Sequence, residues 1–193
     1  IFLTSACNIK FKTGLNKDRE FPDLIFGDFK YISADNSGKR EFELKASLAM
    51  MYQVRDEIYL HNFTMTFFNE NNKIRSFLSA NSGIIDKSNM NVFAEGKVKI
   101  LSDNQTLLEA NKVFWNNDKK QFYTETNELV TITKGNSVIM GYDLLADNEL
   151  NEVKLYNIIG NLNEKDTNAK TKIPERIRVI ENFPNVQTNT NNN

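Results

Sequence analysis

The stretch from Arg40 to Gln53 reads REFELKASLAMMYQ, and it decides between two kinds of protein. Phe42, Leu44, Ala46 and Leu48 recur at every second position, with Glu43, Lys45 and Ser47 between them. A period of two places one set on each face of a β-strand, whereas a helix needs spacings of three and four. The overlapping segment SLAMMYQVRDE, from Ser47 to Glu57, has a composition that also suits a helix, but it lacks the pair of start and stop signals that would bound one. The next stretch, EIYLHNFTMTFFN, repeats the alternation, with Phe63, Met65 and Phe67 set against Thr64 and Thr66.

Reading outward, the same texture runs from Leu24 to Gly160. DLIFGDFKYIS, IRSFLSANSGIID, MNVFAEGKVKIL, TLLEANKVFWN, QFYTETNELVTIT and VIMGYDLLADNELNEVKLYNIIG read as strands. The turn signals ADNSGKR, ENNK, SDNQ, NDKK and KGNS separate them. Asn, Asp and Gly turns at such intervals between alternating segments predict an all-β antiparallel meander. The three prolines, Pro22, Pro174 and Pro184, all lie outside this body, which suits uninterrupted strands.

Composition excludes several functions. With 24 Lys and Arg against 25 Asp and Glu, the net charge is −1, and no basic face recommends a nucleic acid partner. No apolar run approaches the length of a membrane-spanning helix. One cysteine allows no internal disulfide, and a lone histidine without cysteine partners makes a zinc site improbable. The sequence has no GxSxG, P-loop, GxGxxG or CxxC. His61 sits on a strand among apolar neighbours and reads as structural. Asp147 to Glu149 has no calcium-loop spacing and reads as a turn. No catalytic residue, metal or cofactor is expected.

The lone cysteine, Cys7, follows the small and apolar residues IFLTSA. Small residues directly before a cysteine fit the end of a lipoprotein signal, because the peptidase cleft admits only small side chains beside the cut. The apolar residue stands four places before the cysteine, at Leu3, where three is usual, so the match is to a relaxed lipobox. The plainer alternatives are an incidental cysteine in a truncated signal and a buried free thiol. Acylated Cys7 would tether the chain to a membrane. The expected organisation is residues 1–7 as residual signal, 8–23 as tether, 24–160 as the β domain and 161–193 as a largely disordered extension.

The inward candidates are large and apolar: Phe63, Met65, Phe67, Leu78, Phe93 and Trp115. They suit an ordinary sandwich core, or a lipid-holding interior between splayed sheets. Periodicity alone does not separate the two.

The order of motifs adds a resemblance. FELKASLAMM, then LSANSG after the Phe-rich strand, then EGKVKIL, KVFWN, TETNELVTIT and LLADNEL resemble the succession in the LptC family and its OstA-like relatives. The resemblance spans roughly residues 24–160 and implies an open, twisted antiparallel β-jellyroll with no catalytic residue and no cofactor. It implies a periplasmic protein that accepts lipopolysaccharide or lipooligosaccharide from an inner-membrane ABC transporter. The lipid would pass to an LptA-like bridge protein docked by edge-strand addition. Carried over by pattern, the lipid-lining residues would be Leu44, Ala46, Phe63, Met65, Val98, Ile100, Val113, Trp115, Val130 and Ile132. Gly96 and Gly141 match the turn and bulge glycines. The familiar form is held by an N-terminal membrane helix, and acylated Cys7 would replace it at the inner membrane. The competing expectation is a surface or periplasmic lipoprotein with a closed β-sandwich, serving adhesion or structure.

Overall fold

The computed structural model describes residues 21–159. The residual signal with Cys7, most of the tether, and the 161–193 extension lie outside the described residues. Ten antiparallel strands form one sheet: β1 (Leu24–Ala34), β2 (Arg40–Tyr52), β3 (Glu57–Phe68), β4 (Ile74–Asp86), β5 (Asn91–Ser102), β6 (Thr106–Asn116), β7 (Gln121–Tyr123), β8 (Val130–Lys134), β9 (Ser137–Asp147) and β10 (Val153–Tyr156). Each of the first six pairs with its sequence neighbour. β7 and β8 share one place in the sheet, both lying between β6 and β9. The all-β expectation holds. The SLAMMYQ segment is strand to Tyr52, because its partner β3 takes up the backbone groups that a helix would have bonded internally.

Asx side chains build the tight connections. Asp35 Oδ1 accepts from the amides of Ser37 and Lys39 at 2.8 and 2.9 Å. Asn69 Oδ1 does the same for Asn71 and Lys73, both at 2.9 Å. Asp147 Oδ1 accepts from Glu149 and Asn151 at 3.1 and 2.9 Å. A short polar side chain that bonds its own backbone two residues on substitutes for a strand partner, and this is why these residues punctuate the sequence.

Strict alternation fails at one row that crosses the sheet. In β3 both Leu60 and Phe63 are buried, with His61 and Asn62 exposed between them, although residues three apart on a regular strand face opposite ways. The same three-residue spacing joins Ala46 to Ala49, Ala80 to Gly83 and Gly141 to Leu144. Left-handed backbone marks the row at Asp28 (φ 51°), Asn62 (44°), Gly96 (83°), Lys97 (52°) and Asp143 (56°). Registers slip there too, between Ser79 and Ser82 and between Glu95 and Val98. Asp, Asn and Gly tolerate this conformation best. In β6, where β7 and β8 part, Glu128 replaces the missing strand by accepting from the amides of Asn111 and Lys112 at 2.7 and 3.0 Å.

The row bends every long strand, and the sheet curls over on itself as an open jellyroll. Phe67 of β3 and Trp115 of β6 have ring centroids 4.6 Å apart. In a flat sheet three strand spacings would separate them by about 14 Å. On β5 their rows pass through Ser102 and Val92, opposite ends of that strand, so the curl brings diagonal corners together.

Two expectations are corrected. Phe93 is not inward: its row on the outer face runs Tyr59, Ile84, Phe93, Phe114, Tyr123, with Phe93 and Phe114 rings 4.9 Å apart. Leu48 leaves the fully buried set, because the row of bends shifts the alternation and Ala49 takes the core position.

Candidate functional site

All ten residues expected to line the interior face inward and belong to one apolar cluster, each at most 5% exposed. Cross-strand register explains how they meet. Leu44, Met65, Leu78, Ile100, Leu108 and Ile132 are successive partners on β2, β3, β4, β5, β6 and β8, so one apolar row crosses six strands. Beyond the bends a second row joins Ile58, Ile85, Val92, Trp115, Phe122 and Ala146. Ala46 partners Phe63, while Val98 partners the half-buried Ala110. Val113 and Val130 complete the set on β6 and β8.

The carried-over set left out Leu78, Leu108 and Phe122, which stand in the same rows. Leu108 was legible as an alternating apolar residue of TLLEANKVFWN. Phe122 sits on a three-residue strand too short to show a period. Gly83 was also missed: a Cβ there would lie 2.5 Å from the Phe63 ring and 2.7 Å from the Phe93 carbonyl oxygen. The small residue makes room for the aromatic one. Gly96 has a positive φ and sits at the register slip, whereas Gly141 is close-packed, with Tyr156 O 3.3 Å from a Cβ built on it.

At one end the two layers part around a cleft of about 500 Å³. Phe42, Phe67 and Trp115 form its apolar wall, and charged residues form its rim. The rim is tied across the curl. Lys120 Nζ donates to Glu41 Oε1 at 2.8 Å. Arg75 Nε stands 3.1 Å from Glu149 Oε1, a charge contact whose N–H is not directed at the carboxylate. The Ser76 hydroxyl donates to the Asn148 carbonyl. The indole N–H of Trp115 is buried and has no acceptor.

On the outer face of β2, Glu43 is held below the ordinary carboxylate range, first by the hydrogen bond from Lys45 and then by Lys30. Lys45 and Lys30 approach it at 2.9 and 3.3 Å. His61 is exposed on the outer face. Among the described residues, no group of three His, Cys, Asp or Glu side chains could hold a metal ion, and no helix is long and apolar enough to cross a membrane.

A curled, antiparallel sheet packed around an apolar interior defines an all-β protein of the jellyroll kind. The model of the family described as lipopolysaccharide-assembly, LptC-related, matches residues 2–161, and the chain belongs to that family. It is therefore a component of lipopolysaccharide transport and not an enzyme, in a family that is periplasmic and associated with the inner membrane. No curated protein matches the chain.

Proposed function

We propose that this chain receives lipopolysaccharide or lipooligosaccharide from an inner-membrane ABC transporter, holds its acyl chains between the two layers, and passes it to an LptA-like bridge protein. The observation that carries this reading is an apolar interior inside a sheet whose edge strands do not pair with each other among the described residues. Among the described residues, β1 bonds only to β2 and β10 only to β9, which leaves both outer edges of the path without a strand partner there. A free edge can add a strand from another jellyroll, which aligns the two interiors end to end. Burying each CH₂ is favourable by about 0.8 kcal/mol, so an acyl chain crosses an aqueous compartment only inside such a cover.

The ten lining residues are packed against one another, so loading requires the layers to separate and the lipid to replace contacts between them. The chain needs no chemistry of its own, since the work of moving lipid is done by the transporter. Acylated Cys7 would hold the domain at the inner membrane. A closed β-sandwich serving adhesion or structure is the second reading, and the tight packing of the interior favours it.

Photo-crosslinking in cells separates the two readings. A photoreactive residue at Phe63 should give a lipopolysaccharide adduct, and one at the outward Lys45 should not. Exported, folded protein with no adduct at Phe63 or at Met65 would overturn the transport reading and leave the closed sandwich.

A further inference from the structure

Trp115 carries a group that the packed interior does not explain. It is 2% exposed, and its indole N–H has no acceptor. A buried donor without a partner is uncommon, since it forfeits the hydrogen bond that water offers in the unfolded chain. The residue lines the cleft at the parted end of the layers, with the Phe67 ring 4.6 Å and the Phe122 ring 5.0 Å away.

The cleft's other features limit what could supply the acceptor. Its volume of about 500 Å³ lies in the ordinary range for small-molecule sites. Four cationic and four acidic side chains line it, so no net positive charge favours a strongly anionic group at the wall. Behind the polar rim, the wall is backed by the hydrocarbon of Phe42 and Phe67, each 1% exposed. A neutral acceptor attached directly to hydrocarbon fits this combination. The ester or amide carbonyl that joins an acyl chain to its head group is such an acceptor.

We infer that the cleft is a binding site for the carbonyl end of an acyl chain, with Trp115 Nε1 donating to that carbonyl oxygen. The chain then lies along Phe42 and Phe67, and the head group meets the charged rim. The Lys120–Glu41 and Arg75–Glu149 pairs stand on the rim of the cleft and must part for the chain to reach the buried wall. These pairs are partly exposed, hence weak, and part at small cost. An arriving carbonyl satisfies the N–H that the packed interior leaves without a partner. This inference rests on the transport reading and adds to it the part of the lipid that is recognised.

Trp115 is the only tryptophan, so its emission reports on the site directly. The probes are a myristoyl lysophosphatidylcholine and its ether-linked analogue, which has the same chain and head group but no carbonyl. Both are titrated below their micelle-forming concentrations. The ester should shift the emission and bind about fivefold more tightly than the ether, the ordinary net worth of one hydrogen bond. Trp115→Phe, followed by competition with a fluorescent fatty acyl probe, should bind ester and ether alike. Equal affinities in the native chain would overturn the inference, and this comparison needs no variant to fold. A preference for ester that survives in Trp115→Phe would overturn it as well. If lipopolysaccharide still crosslinks at Phe63 while neither amphiphile binds, or neither is preferred, the cleft assignment fails and the transport reading stands. If the Phe63 adduct is also absent, both fail.

Discussion

Phe67 and Trp115 touch across the curl, with rings 4.6 Å apart and tilted by 55°, although β4 and β5 lie between their strands in the sheet. Phe67 also meets Phe122 edge-on at 5.4 Å. This contact joins one corner of the sheet to the diagonal corner, so its loss should be felt by the whole domain. Phe67→Ala should destabilise the protein by about 3–5 kcal/mol. A double-mutant cycle with Trp115→Ala should give a coupling of about 0.5–1.5 kcal/mol. Urea denaturation followed by circular dichroism measures both, and a coupling near zero would mean that the corners are not energetically joined.

Gly83 is small because Phe63 is large. A methyl group at Gly83 would lie 2.5 Å from the Phe63 ring and 2.7 Å from a backbone oxygen, which cannot yield as a flexible side chain does. Gly83→Ala should cost about 1–3 kcal/mol by overpacking. Combining it with Phe63→Leu should recover part of that loss, because the ring is one of the two obstacles. Thermal melts of the three variants test this.

Asn62 marks the bend in β3, at φ 44°. Asn62→Gly should change stability by no more than about 0.5 kcal/mol, since Gly adopts the left-handed region freely. Asn62→Val should cost about 1–2 kcal/mol, because a β-branched residue resists it. Equal stability of the two variants in chemical denaturation would show that strand pairing and not this residue sets the bend.

Asp35 and Asp86 titrate below their ordinary value of 3.8 in the folded chain. The main cause is the hydrogen bond from the Ser37 hydroxyl in the first case and from the Ser88 hydroxyl in the second. A depressed folded value means that the unfolded chain takes up the proton first. The stabilisation is therefore present above pH 3.8 and is lost as the pH falls through the lower folded values. Asp86→Asn should melt with a shallower dependence on pH below about 4 than the native chain does. Melting curves between about pH 2 and 6 check this, and identical slopes would remove Asp86 from the account.

The strands and turns were legible because they depend on neighbours in sequence. Alternation over Phe42 to Ala46 and Phe63 to Phe67 states which face is apolar, and Asp35, Asn69 and Asp147 build turns from their own side chains. The membership of the interior was legible for the same reason: each of the ten residues is an apolar member of an alternating run. Phe93 was misplaced because alternation counts positions within a segment, and the segment around it is apolar on both faces. Leu48 was misplaced because a bend at Ser47 and its cross-strand neighbours shifts the count by one, and nothing in REFELKASLAMMYQ marks the shift.

The sequence by itself therefore determined an antiparallel all-β chain, its turns, and most of its inward residues. Tertiary structure alone decided that the bends fall on one row, that Phe67 meets Trp115, and that Lys120 reaches Glu41 at the rim. The physical reason is range. A side chain's preference for strand or turn is settled within a few residues, whereas the curl of a sheet sums small twists and bulges over all its strands. The cleft, its paired charges and the unpartnered indole exist only where that sum brings two distant corners together.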